Sequence, residues 1–138
     1  MYLLDTNVIS ELRRQRPHGA VLAWFRDIAD SDLHLSAVTV GELQVGIEMT
    51  RELNSGRAAE LQAWLDQVEE SYNVIPMEGR TFRVWARMMH RQSNDLIEDA
   101  MIAATAKVHD LIVVTRNVRD FERFGVKILS PFEREKRS

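Results

Sequence analysis

Cysteine is absent from all 138 residues, which excludes a disulfide framework and any thiolate metal site and points to a reducing compartment. No apolar run approaches the roughly 20 residues that a membrane-spanning helix needs. The opening Met1-Tyr2-Leu3-Leu4-Asp5 has no basic n-region and no long apolar h-region, so no leader or membrane anchor is expected and the reading is cytoplasmic. Internal repeats and low-complexity segments are missing too. Charge of one sign is scarce: 18 basic against 21 acidic residues leave a net charge of -3. That balance argues against a generic nucleic-acid coat, although it can conceal a basic patch around an acidic site. His18, His34, His90 and His109 show no i, i+4 pairing of the kind that holds a metal, and none is assigned a role in chemistry. What remains, 45% hydrophobic and 28% charged, is the balance of an ordinary globular chain, and the length suits one domain over 1–138.

The apolar pattern alternates between short runs and helical stripes. Met1 to Leu4 is a buried strand ending at an acid. Thr6-Asn7 supplies cap chemistry for a short helix that Pro17 and Gly19 end. Val21, Leu22, Phe25 and Ile28 share a helical face, and Leu33 to Ser36 reads as a second strand. A helix opens near Ala37, with Val40, Leu43 and Ile47 as its stripe, until Asn54-Ser55-Gly56 breaks it. Ala58, Leu61, Leu65 and Val68 mark a further helix, and Val74-Ile75-Pro76 an extended segment. Phe82, Trp85, Ala86 and Met89 repeat at i, i+3, i+4, i+7. Ala100 to Ala106 is apolar nearly all round, a buried helix preceded by an Asp95-x-x-Glu98 pairing that resembles a capping box. Leu111 to Val114 and Val126 to Leu129 complete the strands. Strands that alternate with helices and are apolar throughout predict an α/β fold with a mostly parallel sheet of about five short strands flanked by helices. Ligands in such folds gather beyond the carboxyl ends of strands, where Asp5 and Thr115-Arg116-Asn117 fall.

Three acids interrupt apolar segments near these ends: Asp5, Glu42 and Asp99. Each has a structural alternative. Asp5 can cap the following helix. Glu42 can lie on a solvated face, although Gly41 beside it would admit a ligand or a second backbone. Asp99 can complement a helix dipole, worth about 0.3–1 kcal/mol. Together, though, the three would repel one another at one sheet edge without a cation. An all-oxygen set favours Mg²⁺ or Mn²⁺, ions that bridge to phosphate oxygens and activate water for phosphodiester hydrolysis. The segment Thr115-Arg116-Asn117-Val118-Arg119-Asp120-Phe121 gathers hydroxyl, amide, carboxylate and guanidinium groups. It reads either as a phosphate-binding turn beside such a metal or as an Asn-containing loop with Asp120 as a cap.

Four blocks in this order resemble the signature blocks of PIN-domain proteins: Leu4-Asp5-Thr6-Asn7-Val8-Ile9-Ser10, Ser36-Ala37-Val38-Thr39-Val40-Gly41-Glu42-Leu43, Asp99 to Ala106, and Thr115 to Phe121. The likeness is greatest to the VapC and FitB-type toxins of bacterial toxin–antitoxin pairs and covers essentially the whole chain. The resemblance implies a PIN-like three-layer sandwich and a Mg²⁺-dependent endoribonuclease in which Mn²⁺ substitutes. It also implies a homodimer held inactive by a small DNA-binding, VapB-like antitoxin, the complex sitting on operator DNA. Asp5, Glu42 and Asp99 match the family's metal-binding acids. For the fourth, relatives place an acid either where this chain has Asn117 or three residues later, at Asp120, which is slightly preferred. Thr6 and Thr115 match hydroxyls that support the acids.

Arg13, Arg14 and Arg16 lie nearest the predicted acidic edge and are the first candidates for RNA phosphates, with Arg116 and Arg119 next. Arg80, Arg83, Arg87 and Arg91 share one helical face, either an RNA-tracking stripe or a solvated surface. Two other classes compete. A receiver-like or phosphatase-like protein would want a second acid beside Asp5, where Thr6-Asn7 supplies none. A catalytically impaired RNA-binding or regulatory module would have lost one of the three main acids, and all three are present.

Overall fold

The computed structural model describes residues 1–132, so the last six positions of the expected 1–138 domain lie outside the described residues. Five strands form one sheet in the order β3-β2-β1-β4-β5, every pair parallel: β1 (Tyr2–Leu4), β2 (Leu33–Ser36), β3 (Asn73–Ile75), β4 (Ile112–Val114) and β5 (Ile128–Leu129). The expected mostly parallel sheet is thus parallel throughout. Connections after β1 run outward through β2 to β3, then cross back to β4 and β5. The winding therefore reverses at the β1/β4 boundary, and a crevice opens there beyond the carboxyl ends of the strands.

Adjacent residues of each central strand face opposite layers. Leu4, Leu35 and Val114 join one apolar cluster with α1 (Thr6–Glu11), α2 (Gly19–Arg26), α3 (Ala37–Leu53) and α4 (Ser55–Ser71). Leu3 and Val113 join the other with α5 (Gly79–Met89), α6 (Ile97–His109) and α7 (Val118–Glu122). The three layers of the expected sandwich are these two helical sets and the sheet between them. Leu3 and Leu4 are completely buried, each such side chain contributing about 1.5–3 kcal/mol to the sheet's adhesion to its helices.

Local chemistry sets the joints. Asn54 ends α3 and starts α4 as one residue: its backbone is extended, with φ -157°, and its Oδ1 accepts from the Arg57 amide at 3.0 Å. The resulting antiparallel pair builds one wall of a groove described below. Asp110 ends α6 in the left-handed region, at φ 53°, and releases the chain into β4.

Two local expectations are corrected. Asp95 and Glu98 do not form a capping box: Ser93 Oγ accepts from the Asp95 amide at 3.4 Å, a 3-10 turn over Asn94–Leu96 follows, and α6 begins without a side-chain cap. The inward face of α5 is Thr81, Trp85, Met88 and Met89, while Phe82 and Ala86 turn outward and Phe82 is 43% exposed. The rotation follows from Trp85, whose Nε1 donates to the Ile97 carbonyl at 3.2 Å and so fixes the helix against α6. Among the described residues no helix is long and apolar enough to cross a membrane.

Candidate active site

Asp5 is the first residue beyond β1, and its amide still donates to the Val114 carbonyl of β4 at 2.9 Å. The side chain is therefore delivered into the crevice by the sheet ladder itself. Only 4% exposed, it accepts from the Thr6 amide at 2.8 Å, from Thr115 Oγ1 at 2.7 Å and from Asn7 Nδ2 at 3.2 Å. The first of these bonds is the helix cap weighed as an alternative to a functional role. Both occur, because one carboxylate oxygen caps α1 and the other faces Thr115 and Asn7. Burial raises the Asp5 carboxyl above its ordinary value, these three donors oppose the rise, and the charge of Asp120 adds to it.

Glu42 reaches the same place from the second turn of α3. Its Oε1 accepts from Thr6 Oγ1 at 3.1 Å, and Thr6 Oγ1 lies 3.1 Å from the fully buried Thr39 Oγ1. Burial pushes the Glu42 carboxyl up to about 7; the Thr6 bond opposes this, and the charges of Asp5, Glu98 and Asp99 reinforce it. Asp99, in the first turn of α6, is raised to about 6 by burial and then by the charges of Asp5, Asp120 and Glu98. Asp5, Glu42, Asp99 and Asp120 thus share one electrostatic environment, drawn from β1, α3, α6 and α7. Among the described residues, nothing beyond Gly41's own helical turn lies within 4 Å of an added Cβ there, so no second element packs closely against it.

Of the two residues considered for the fourth acid position, Asp120 is the one whose charge reaches Asp5 and Asp99. Asn117 is exposed, donates its backbone amide to Thr115 Oγ1 at 2.9 Å and starts α7 without using its side chain as a cap. Asp120 lies inside α7 and is no cap. Thr115, completely buried, is thereby a relay from the Asn117 amide to Asp5.

The arginines divide. Arg13 lines a groove that it shares with Thr6 and Glu42. Arg14 is held 3.4 Å from the buried Glu11, and Arg16 is exposed beyond α1. Arg116 stacks its guanidinium on the Phe132 ring, 4.0 Å from the centroid, while Arg119 is exposed on α7. Arg80, Arg83, Arg87 and Arg91 are exposed on or just beyond α5, and Arg80 is 3.6 Å from Glu78. Sequence reasoning passed over Asn7, Thr39 and Glu98. Asn7 was read only as cap chemistry, Thr39 only as a member of its block, and Glu98 as half of a capping box.

Among the described residues no three acidic, histidine or cysteine side chains converge closely enough to share one ion as they stand. The donor set nevertheless fits a hard cation. All its groups are oxygen donors, and the Asp5, Glu42 and Asp99 carboxyls are raised by burial and neighbouring negative charge, a cost that a bound positive charge relieves. Among the described residues Glu42 is held by a single side-chain hydrogen bond and Asp99 by none.

Fold and crevice define a doubly wound α/β protein with an acid-lined switch point. More particularly, the chain belongs to the PIN-domain family, whose model matches residues 2–127. It is 34% identical over 139 residues to the toxin FitB of Neisseria gonorrhoeae, covering 96% of this chain and 99% of that protein. It is 35% identical over 143 residues to the VapC ribonuclease Y4jK of Sinorhizobium fredii, with the same coverages. The crystal structure of FitAcB from Neisseria gonorrhoeae superposes with a TM-score of 0.85 at 33% identity, over 96% of this chain and 99% of that one.

Proposed function

We propose that this protein is an endoribonuclease of the VapC type and the toxin of a toxin–antitoxin pair, hydrolysing RNA phosphodiester bonds in the crevice at the β1/β4 boundary. The observation that carries the reading is the meeting of Asp5, Glu42, Asp99 and Asp120, from four separate elements, at the point where the sheet reverses its winding. The ribonuclease activity named for Y4jK and the toxin activity named for FitB support it.

These four carboxylates would hold Mg²⁺, with Mn²⁺ able to substitute, and the bound ion supplies charge neutralisation at the phosphate and a more acidic water. The chain's own residues do the rest. Thr115 and Asn7 orient the carboxylate of Asp5, and Thr6, backed by Thr39, aims Glu42. Such supporting bonds to ligands are worth about 10–100-fold in affinity or activity. A carboxylate of this set accepts one proton of the attacking water as its oxygen bonds to phosphorus, the P–O3′ bond breaks and the departing 3′-oxygen takes a proton from solvent, leaving a 5′-phosphate and a 3′-hydroxyl.

A VapB-like antitoxin and a second copy of the chain are the proposed protein partners. Val45, Met49 and Leu53 repeat every fourth residue along α3 and are 61%, 64% and 91% exposed, an apolar stripe of the sort that partner chains cover.

The test is cleavage of a panel of structured and unstructured RNAs by the wild-type, Asp5→Asn and Asp99→Asn proteins with Mg²⁺, with Mn²⁺ and with EDTA. Metal-dependent cutting lost in both variants is the expected result. A folded, antitoxin-free wild type that cuts nothing under any condition would return the chain to an RNA-binding or regulatory module.

A further inference from the structure

A groove of about 520 Å³ runs between α1, α3 and α4, and it shares Thr6 and Glu42 with the acid crevice. Its floor is apolar, built from Leu43, Ile47, Leu61 and the half-buried ring of Trp64. Its polar rim carries two cations, Arg13 and Arg57. The groove therefore combines a flat aromatic surface, a place for positive charge and a direct opening onto the proposed reaction centre.

The two cations are arranged at a cost. The Arg13 guanidinium sits over the Trp64 ring, 5.8 Å from its centroid, and makes no ion pair among the described residues. Burial lowers the Arg13 pKa, and the neighbouring charges of Arg57 and Arg14 lower it further. Among the described residues Arg57 is joined only to Glu60, at 3.2 Å, in a pair with both side chains largely in water, which is a weak restraint. Two guanidiniums beside one apolar floor call for an anion, and an anion bridging both relieves their repulsion.

Beyond Trp64 the surface changes sign. Trp64 also lines a second, shallow depression that carries Glu60, Asp66 and Glu70. A polyanion laid over Trp64 is repelled on that side and attracted on the other, so the ring marks a boundary as well as a platform.

We infer that the groove is a nucleotide subsite, in which a base of single-stranded RNA next to the cleaved bond stacks on Trp64 and its phosphate is held by Arg13 and Arg57. Arg13 covers the ring face that the base takes, and as an exposed side chain it swings from ring to phosphate on binding. Stacking reads no base edge, so the subsite favours unpaired RNA over a duplex without selecting a base. The inference rests on the ribonuclease reading above, and its test separates the two.

The test is equilibrium binding of a fluorescein-labelled single-stranded RNA pentamer to the full-length protein in EDTA, where no cleavage is required. Trp64→Ala should weaken binding about tenfold while Trp64→Phe, which keeps a stacking face, stays near wild type. Arg13→Gln and Arg57→Gln should each weaken binding several-fold and each reduce the salt dependence by about one phosphate contact. The arginine variants change exposed groups, so they remain informative if Trp64→Ala melts below the assay temperature. A wild type that binds the labelled strand no better than a duplex, or a folded Trp64→Ala and both arginine variants that bind as tightly as the wild type with unchanged salt dependence, would overturn the subsite. In that case the groove belongs to a protein segment instead. RNA cleavage with an unchanged KM in these variants would also overturn the subsite and leave the nuclease standing. Groove-dependent binding with no cleavage under any metal would do the reverse.

Discussion

The acid crevice has two halves that are built differently. Asp5 and Glu42 are pinned: a backbone amide, an Asn amide and two threonine hydroxyls point at their carboxylates, and a third threonine stands behind. Asp99 and Asp120 have no side-chain hydrogen bonds among the described residues and are positioned by helix placement alone, each in reach of the other's charge. The pinned half is preorganised, and the unpinned half stores repulsion. A cation would find fixed oxygens on one side and mobile ones on the other, which allows tight geometry without a rigid cage.

The sharpest test of this contrast sets Asp5→Asn beside Asp99→Asn. Both should lower RNA cleavage by at least about a hundredfold, given the size of single electrostatic contributions to such transition states. Their effects on the metal-free protein should have opposite signs. Asp5→Asn turns an amide N–H₂ toward donors that in the wild type meet a carboxylate oxygen and should lower the melting temperature by about 5 °C at pH 8, whereas Asp99→Asn removes repulsion and should raise it by about 3 °C. Equal signs would erase the distinction between the halves.

Thr115→Val probes the pinned half through its support. It deletes the 2.7 Å bond to Asp5 and the acceptor for the Asn117 amide, and should reduce cleavage or Mn²⁺ affinity by about tenfold, read by titration calorimetry. Loss of stability without loss of Mn²⁺ affinity would make Thr115 a packing residue only.

The pH response follows from the raised carboxyls. Glu42 at about 7 and Asp99 at about 6 bind protons more tightly in the folded chain than at their ordinary values of 4.5 and 3.8. The stabilisation that this protonation provides is complete below about pH 4 and is lost as pH rises through 6 and 7. The metal-free protein should therefore melt about 5 °C lower at pH 8 than at pH 5, with the difference reduced by Mg²⁺. A melting temperature that rises over this range without metal would contradict the assigned burial. The smallest expected change is Asn117→Ala, about threefold or less in cleavage against a larger loss for Asp120→Asn, because only Asp120's charge reaches the cluster.

Strand runs, helix stripes and the alternation of the two were legible along the chain because each depends on spacing within a few residues. So were the acids, as interruptions of apolar segments. Their pairing was not. The bond from Thr115 to Asp5 joins positions 110 residues apart, and that from Thr6 to Thr39 positions 33 apart, so no local pattern announces either. The α5 face was misjudged for the same reason: one bond from Trp85 to Ile97 turns the helix, swapping Phe82 for Thr81 on the inner side. Trp64 lies outside the Ala58, Leu61, Leu65 and Val68 stripe and carries no local sign of a groove, because the turn at Asn54 is what brings it to face α1.

The sheet order also governs when the crevice can exist during synthesis. Tyr2–Leu4 forms the central strand, yet its partner Ile112–Val114 is translated more than a hundred residues later, and Asp5 is anchored to Val114 itself. A nascent chain still short of that point has acids but no crevice to gather them. Such distant pairing closes late in folding. The crevice therefore assembles only after β4 has been made and has paired with β1.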